Sequence, residues 1–125
     1  MNIQRLPFPP VADTEAGPVI RWESGDLIVE FRDYKTEEHH VQFVDVPHFA
    51  LLGEGEMDGS KFAYDSSMEV INSPLIASLV KHGAIFSNDY RHLVIGFNEI
   101  GSFLEVVCRD LKVSSGSASH AANQY

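Results

Sequence analysis

The sequence holds a single cysteine, Cys108, which rules out an intramolecular disulfide and every zinc pattern built from several cysteines. Within LEVVC that residue reads as a small buried hydrophobe rather than a reactive thiol. Long apolar runs are missing too. Nothing approaches the roughly eighteen residues that span a bilayer, and MNIQRLPFPPVADTEAG contains no run of signal-peptide length. A soluble, cytoplasmic protein with no membrane contact is expected. Basic residues are scarce, with nine Lys and Arg against 18 Asp and Glu and a net charge of −9. Nucleic acid and anionic membranes are polyanions, so neither is expected as a partner. There is no GxSxG elbow, P-loop or HExxH, and the glycines of GEGEMDGS and GFNEIG do not fit GxGxxG and read as turns. The chain thus carries no enzyme signature, and no cofactor or metal is expected.

What is present suffices for one folded domain. The 125 residues are 44% hydrophobic, and eight Phe, four Tyr and one Trp supply core bulk. Four prolines in residues 1–18 mark an extended N-terminal arm. Residues 19–113 read as the globular domain, and SSGSASHAANQY as a Ser/Ala-rich tail over 114–125. Charge is unevenly placed. From Glu23 to Glu69 twelve acids face three bases, which accounts for the whole net charge, while six acids balance six bases elsewhere.

Two hairpins are legible. LIVEFRDY (27–34) and HHVQFVDV (39–46) flank KTEE, and a loop of those four residues sets Tyr34 opposite His39. Leu27, Val29 and Phe31 then share a face with Gln42, Val44 and Val46. Ile28, Glu30, Arg32 and Tyr34 share the other with His39, Val41, Phe43 and Asp45. YRHLVIGF (90–97) and SFLEVVCRDLKV (102–113) flank NEIG, aligning Leu93, Ile95 and Phe97 with Leu104, Val106 and Cys108. His92, Val94, Glu105 and Val107 take the opposite face. A third hairpin is expected where ALLGEGEM and KFAY flank Asp58 and Gly59. In NSPLIASLVKHG, Ser73 suits an N-cap, Pro74 the first helical position and Gly83 the C-terminal cap, which predicts one short helix near 74–82. Its stripe of Leu75, Ile76, Leu79 and Val80 would lie on the sheet. The expected fold is α+β: a mainly antiparallel sheet of about six strands, curved or folded as a sandwich, with that helix.

His39, His40 and His48 sit close in sequence, yet adjacent strand residues point to opposite faces, so His39 and His40 do not share an ion, and Pro47 breaks the direction before His48. Acids offer a clearer signal. Glu54 and Glu56 would share a strand face, with Asp58 and Asp65 nearby in the turn and returning strand, and crowding like charge costs stability unless a partner uses it. These four residues form the predicted partner-binding site, with Glu37 and Glu38 as a secondary patch. The competing expectation is a small-ligand-binding or catalytic domain that uses the mixed faces around His92, Glu105, Arg32 and Asp45. Homo-oligomerisation through an exposed sheet edge is a third.

HHVQFVDVPHFALLGEGEM, SPLIASLVKH and YRHLVIGFNEIGSFLEVVC together resemble the strand, helix and terminal-hairpin plan of small acidic bacterial proteins, some of them of the type that acts as immunity proteins in polymorphic toxin systems. The resemblance spans roughly residues 20–112, lies in pattern and composition, and carries no site residue with it. It implies a non-catalytic module that docks an acidic surface on a basic partner protein.

Overall fold

Apolar residues at period two in RHLVIGF and SFLEVVC build the centre of the molecule. The computed structural model describes residues 2–6, 18–32, 37–56, 62, 66–87, 89–97 and 100–115, without the side chains of Glu54 and Ser115. Among the described residues there are nine strands, all paired antiparallel: β1 (Asn2–Leu6), β2 (Val19–Glu23), β3 (Asp26–Arg32), β4 (Glu38–Val44), β5 (His48–Gly53), β6 (Ser66–Ile71), β7 (Arg91–Phe97), β8 (Ser102–Cys108) and β9 (Asp110–Ser115). They form a five-stranded sheet, β1-β6-β7-β8-β5, and a four-stranded sheet, β2-β3-β4-β9. One helix, α1 (Pro74–Lys81), follows β6. The α+β class and the single short helix are as expected; the strands number nine rather than six, and the two sheets form a sandwich.

The core lies between the sheets. Leu27, Val29, Phe31, Val41 and Phe43 from the smaller sheet meet Leu93, Ile95, Phe97, Leu104, Val106 and Cys108 from the larger. Most of these are wholly buried, and the edge-to-face contact of Phe31 with Phe97, centroids 5.6 Å apart, joins the two layers. Leu6, Ile20 and Leu111 close the sides.

The β7–β8 register pairs Arg91 with Cys108 and Phe97 with Ser102, as the sequence predicts. The β3–β4 register is different. Leu27 pairs with Phe43 and Arg32 with Glu38, three positions from the expected alignment. An odd shift exchanges the two faces of β4. Val41, Phe43 and His39 therefore share the inner face with Phe31, and Gln42 and Val44 turn outward. The physical reason is burial: this register puts Val41 and Phe43 wholly inside, and beyond the left-handed corner at Asp45 the chain buries Val46 in the same core, so three apolar side chains are covered where the other register would cover Val44, Val46 and Gln42.

Two further expectations are corrected, and a third falls outside the described residues. SFLEVVCRDLKV is two strands, because the chain leaves the larger sheet at Arg109, whose N–H donates to Val44 O at 2.9 Å, and continues as β9 in the smaller. Among the described residues β5 and β6 do not pair with each other; the turn at Asp58 and Gly59 and all of KFAY but Phe62, on which the expected hairpin rests, lie outside the described residues. β5 pairs with β8, and β6 lies between β1 and β7. Glu54–Glu56 is a 3-10 turn, so Glu54 and Glu56 do not share a strand face. At the ends, Asn2–Leu6 is strand β1, paired with β6, and β9 extends to Ser115; residues 7–17 and 116–125 lie outside the described residues.

Helix α1 forms as predicted. Ser73 Oγ accepts from Ile76 N at 3.2 Å, and Gly83 takes φ +76° just past the C-terminus, a conformation natural to glycine. Ile76, with Leu75, Leu79 and Val80 beside it, packs around Val107 on the outer face of the larger sheet.

Candidate functional site

The outer face of β7 and β8 holds a hydrogen-bonded string of polar side chains. His92 and Glu105 sit on that face by strand parity, and His92 Nε2 lies 2.9 Å from Glu105 Oε1. His48, at the start of β5, places its Nε2 3.1 Å from the other oxygen, Glu105 Oε2. Ser73 Oγ lies 2.7 Å from His92 Nδ1. One proton arrangement satisfies every member: both Nε2–H groups donate to the carboxylate, and the Ser73 hydroxyl donates to Nδ1 while accepting from Ile76 N. The His92 bond, seconded by that from His48, holds the Glu105 carboxyl below its ordinary value against the opposing effect of burial. The order Ser–His–carboxylate is that of an acyl-transfer triad. Here, however, Ser73 is buried and its oxygen caps a helix, so the string fastens α1 and β5 to the sheet.

Arg32 and Asp45 do not join this pair. Arg32 lies on the outer face of the other sheet and pairs with Glu38 at 3.2 Å. Asp45 occupies a corner in the left-handed backbone region (φ 55°), where its Oδ2 accepts from Tyr90 Oη at 2.8 Å and Arg109 Nε at 3.1 Å. Its N–H donates to Asp26 Oδ1; that bond, and one from Gln42, hold the Asp26 carboxyl below its ordinary range. Outer faces of a sandwich point away from one another, so Arg32 cannot converge with His92 and Glu105, and Asp45 is held at its corner by Tyr90 and Arg109. The three clustered histidines are likewise dispersed: His39 is buried against Phe31, His40 faces Glu30 at 3.6 Å, and His48 reaches Glu105.

A cleft of about 420 Å³ opens beside Ser73, lined by Glu69, Asn72, Ile76, Tyr90 and Arg91 among others. Its cation is already committed, since Arg91 forms two bonds to Glu69, at 3.1 and 2.8 Å.

The predicted acidic site is partly described. Asp58 and Asp65 lie outside the described residues. Glu37 and Glu38 are exposed, as is Glu56, whose Oε1 accepts from Gly53 N at 3.0 Å. Register sets these acids at one end of the sandwich: Arg32 opposite Glu38 ends the smaller sheet, Gly53 opposite Ser102 ends the larger, and Phe31 on Phe97 joins them.

Sequence reading missed the apolar side of the molecule. Trp22 of β2 stacks on Phe49 of β5, centroids 5.3 Å apart at 22°, although the strands belong to different sheets. Seven large hydrophobic side chains are exposed among the described residues, and four of them, Val19, Trp22, Phe49 and Leu51, belong to these two strands. By register Trp22, Phe49 and Leu51 take the inward parity at this open side of the sandwich, whereas Val19, opposite Glu30, faces outward. The signal was in VIRWE and HFALLG, but only the pairing of distant strands reveals that they share a side.

No protein-family model and no curated protein matches the chain. Among the described residues, no helix is long and apolar enough to cross a membrane. The chain is similar in fold to an uncharacterized protein from Neisseria gonorrhoeae known from a crystal structure, with 9% identity and a TM-score of 0.50 over 91% of this chain and 98% of the other, a likeness of architecture alone.

Proposed function

We propose that the chain is a non-catalytic protein-binding module, an inhibitor of the immunity type, which docks on a basic partner protein along β2, β5 and the acidic turn that follows β5. One observation carries the reading: the Trp22–Phe49 stack and Leu51 form a half-exposed apolar side where a sandwich would otherwise end in polar residues. The charge supports it, because the segment from Glu23 to Glu69 that holds the net −9 also contains β5 and Glu54–Glu56. Aromatic anchors supply affinity, and carboxylates around them supply steering and choice of partner. The filled core and the mutual pairing of the cleft's ionic groups favour this over a small-ligand or catalytic domain.

The test uses a photo-crosslinking amino acid at position 51 in the cells that make the protein, followed by reconstitution of the captured partner from purified components. A basic protein that binds less tightly as salt rises, and less tightly to Trp22→Ala and to the double variant Glu54→Lys, Glu56→Lys, is the expected result. Binding unchanged in both variants would sink the reading.

A further inference from the structure

We infer that β5 is a docking edge for strand addition, and that its occupant is an extended segment of the basic partner with apolar residues at every second position. This rests on the binding module proposed above and specifies how it engages. Among the described residues four strands end the two sheets: β1, β5, β2 and β9. Three of them carry charges of the kind that discourage another strand from pairing: Arg5 on β1, Arg21 and Glu23 on β2, Asp110 and Lys112 on β9. β5, reading HFALLG, has no Asp, Glu, Lys or Arg. It has no internal proline, and its ladder to β8 runs without a skipped residue from His48–Val107 to Gly53–Ser102, so no bulge turns the edge away.

The side chains agree. Phe49 pairs with Val106 and Leu51 with Leu104, both wholly buried, so by parity Phe49 and Leu51 occupy core positions. They are 41% and 52% exposed because the sheet stops there. A sixth strand beside β5 would satisfy its outward backbone groups and set its own apolar residues against Phe49, Leu51 and Trp22. A second copy of this chain would give the same backbone pairing, but it would bring together two molecules of charge −9, each with an acidic turn directly after the pairing strand. A segment bearing Lys or Arg between its apolar residues gains from that charge instead.

An eight-residue peptide of alternating Val and Lys tests this on the intact protein, with amide NMR shifts and Trp22 emission as readouts. Two further peptides are N-methylated, one at every Val and the other at every Lys. In a strand, alternate N–H groups point to opposite edges, so strand addition requires one methylated peptide to bind about tenfold more weakly or worse while the other binds as before. Shifts centred on residues 48–53 and a move of Trp22 emission to shorter wavelength are expected, both lost in Leu51→Lys. Equal binding of the two methylated peptides, no binding of the parent, or shifts centred elsewhere would overturn strand addition and leave the binding module standing. A Val/Glu peptide that binds as well as Val/Lys would overturn the basic occupant, and with it the partner chemistry of the module, while strand addition survived. Concentration-dependent dimerisation of the free chain that protects the β5 amides would hand the edge to a second copy and overturn the proposal.

Discussion

Trp22 and Phe49 stack across the gap between two sheets while each ring stays close to half exposed. The contact closes one side of the sandwich and also leaves a flat aromatic surface on it, so one pair of residues packs the sheets together and, in the function proposed above, also meets the partner. Aromatic side chains suit both tasks because they bury large area with few rotatable bonds.

Trp22→Ala separates these roles. A half-exposed ring gives up little on unfolding, so the stability loss should be near 1 kcal/mol, whereas loss of an interface anchor should cost about 2 kcal/mol of binding to the partner captured at position 51. Urea unfolding and calorimetric titration measure the two. A loss of stability with binding unchanged would mean that the stack serves packing only. Trp22 is the sole tryptophan, so emission in the parent protein reports this surface without labelling.

Glu105 accepts from two histidines on different strands. Glu105→Gln keeps the shape but weakens both bonds, and should cost about 2 kcal/mol in urea unfolding at neutral pH. The pH dependence has a definite sign. A carboxyl held below its ordinary value of 4.5 contributes stability that is present above that value and lost as pH falls through the lower, folded one. The gap between parent and variant should therefore close as pH falls below about 4.5. A gap that persists undiminished well below that value would contradict the network.

The β3–β4 register makes opposite demands on neighbouring residues. Phe43 is wholly buried, and Phe43→Ala should cost about 3–5 kcal/mol. Gln42 lies outside and donates to Asp26 Oδ2 at 2.9 Å, so Gln42→Ala should cost about 1 kcal/mol. The sequence-expected register reverses this order. Paired unfolding curves decide between them.

That pair also explains what the sequence could and could not reveal. In β7 and β8 the apolar residues Leu93, Ile95, Phe97, Leu104 and Val106 occupy one parity in strength, and the register could be read directly. In HHVQFVDV, Val41 and Phe43 take one parity and Val44 and Val46 the other, so the pattern admitted two registers and loop length was a poor guide. His92 and Glu105 were legible as a pair because they belong to one hairpin. Ser73 and His48 were not, since they arrive from a helix cap and from an edge strand 57 positions before Glu105. The Trp22–Phe49 side was invisible for the same reason: no local period encodes which distant strands become neighbours.

Cys108 supplies a test of the core itself. It is wholly buried at the end of β8, and burial pushes its thiol from an ordinary 9.0 up to about 12, with Arg91 opposing the rise only in part. Thiolate is the reactive form, so at pH 8 only about one molecule in ten thousand carries it. Reaction with an aromatic disulfide reagent in native buffer should be negligible over hours and should reach one equivalent at once in strong urea. At intermediate urea the labelling rate should follow the population of opened molecules, and Phe43→Ala, which loosens the same core, should accelerate it by about tenfold for each 1.4 kcal/mol of stability lost. Stoichiometric labelling of the native protein within minutes would show that β8 opens without global unfolding, and would remove the rigid support on which β5 is held.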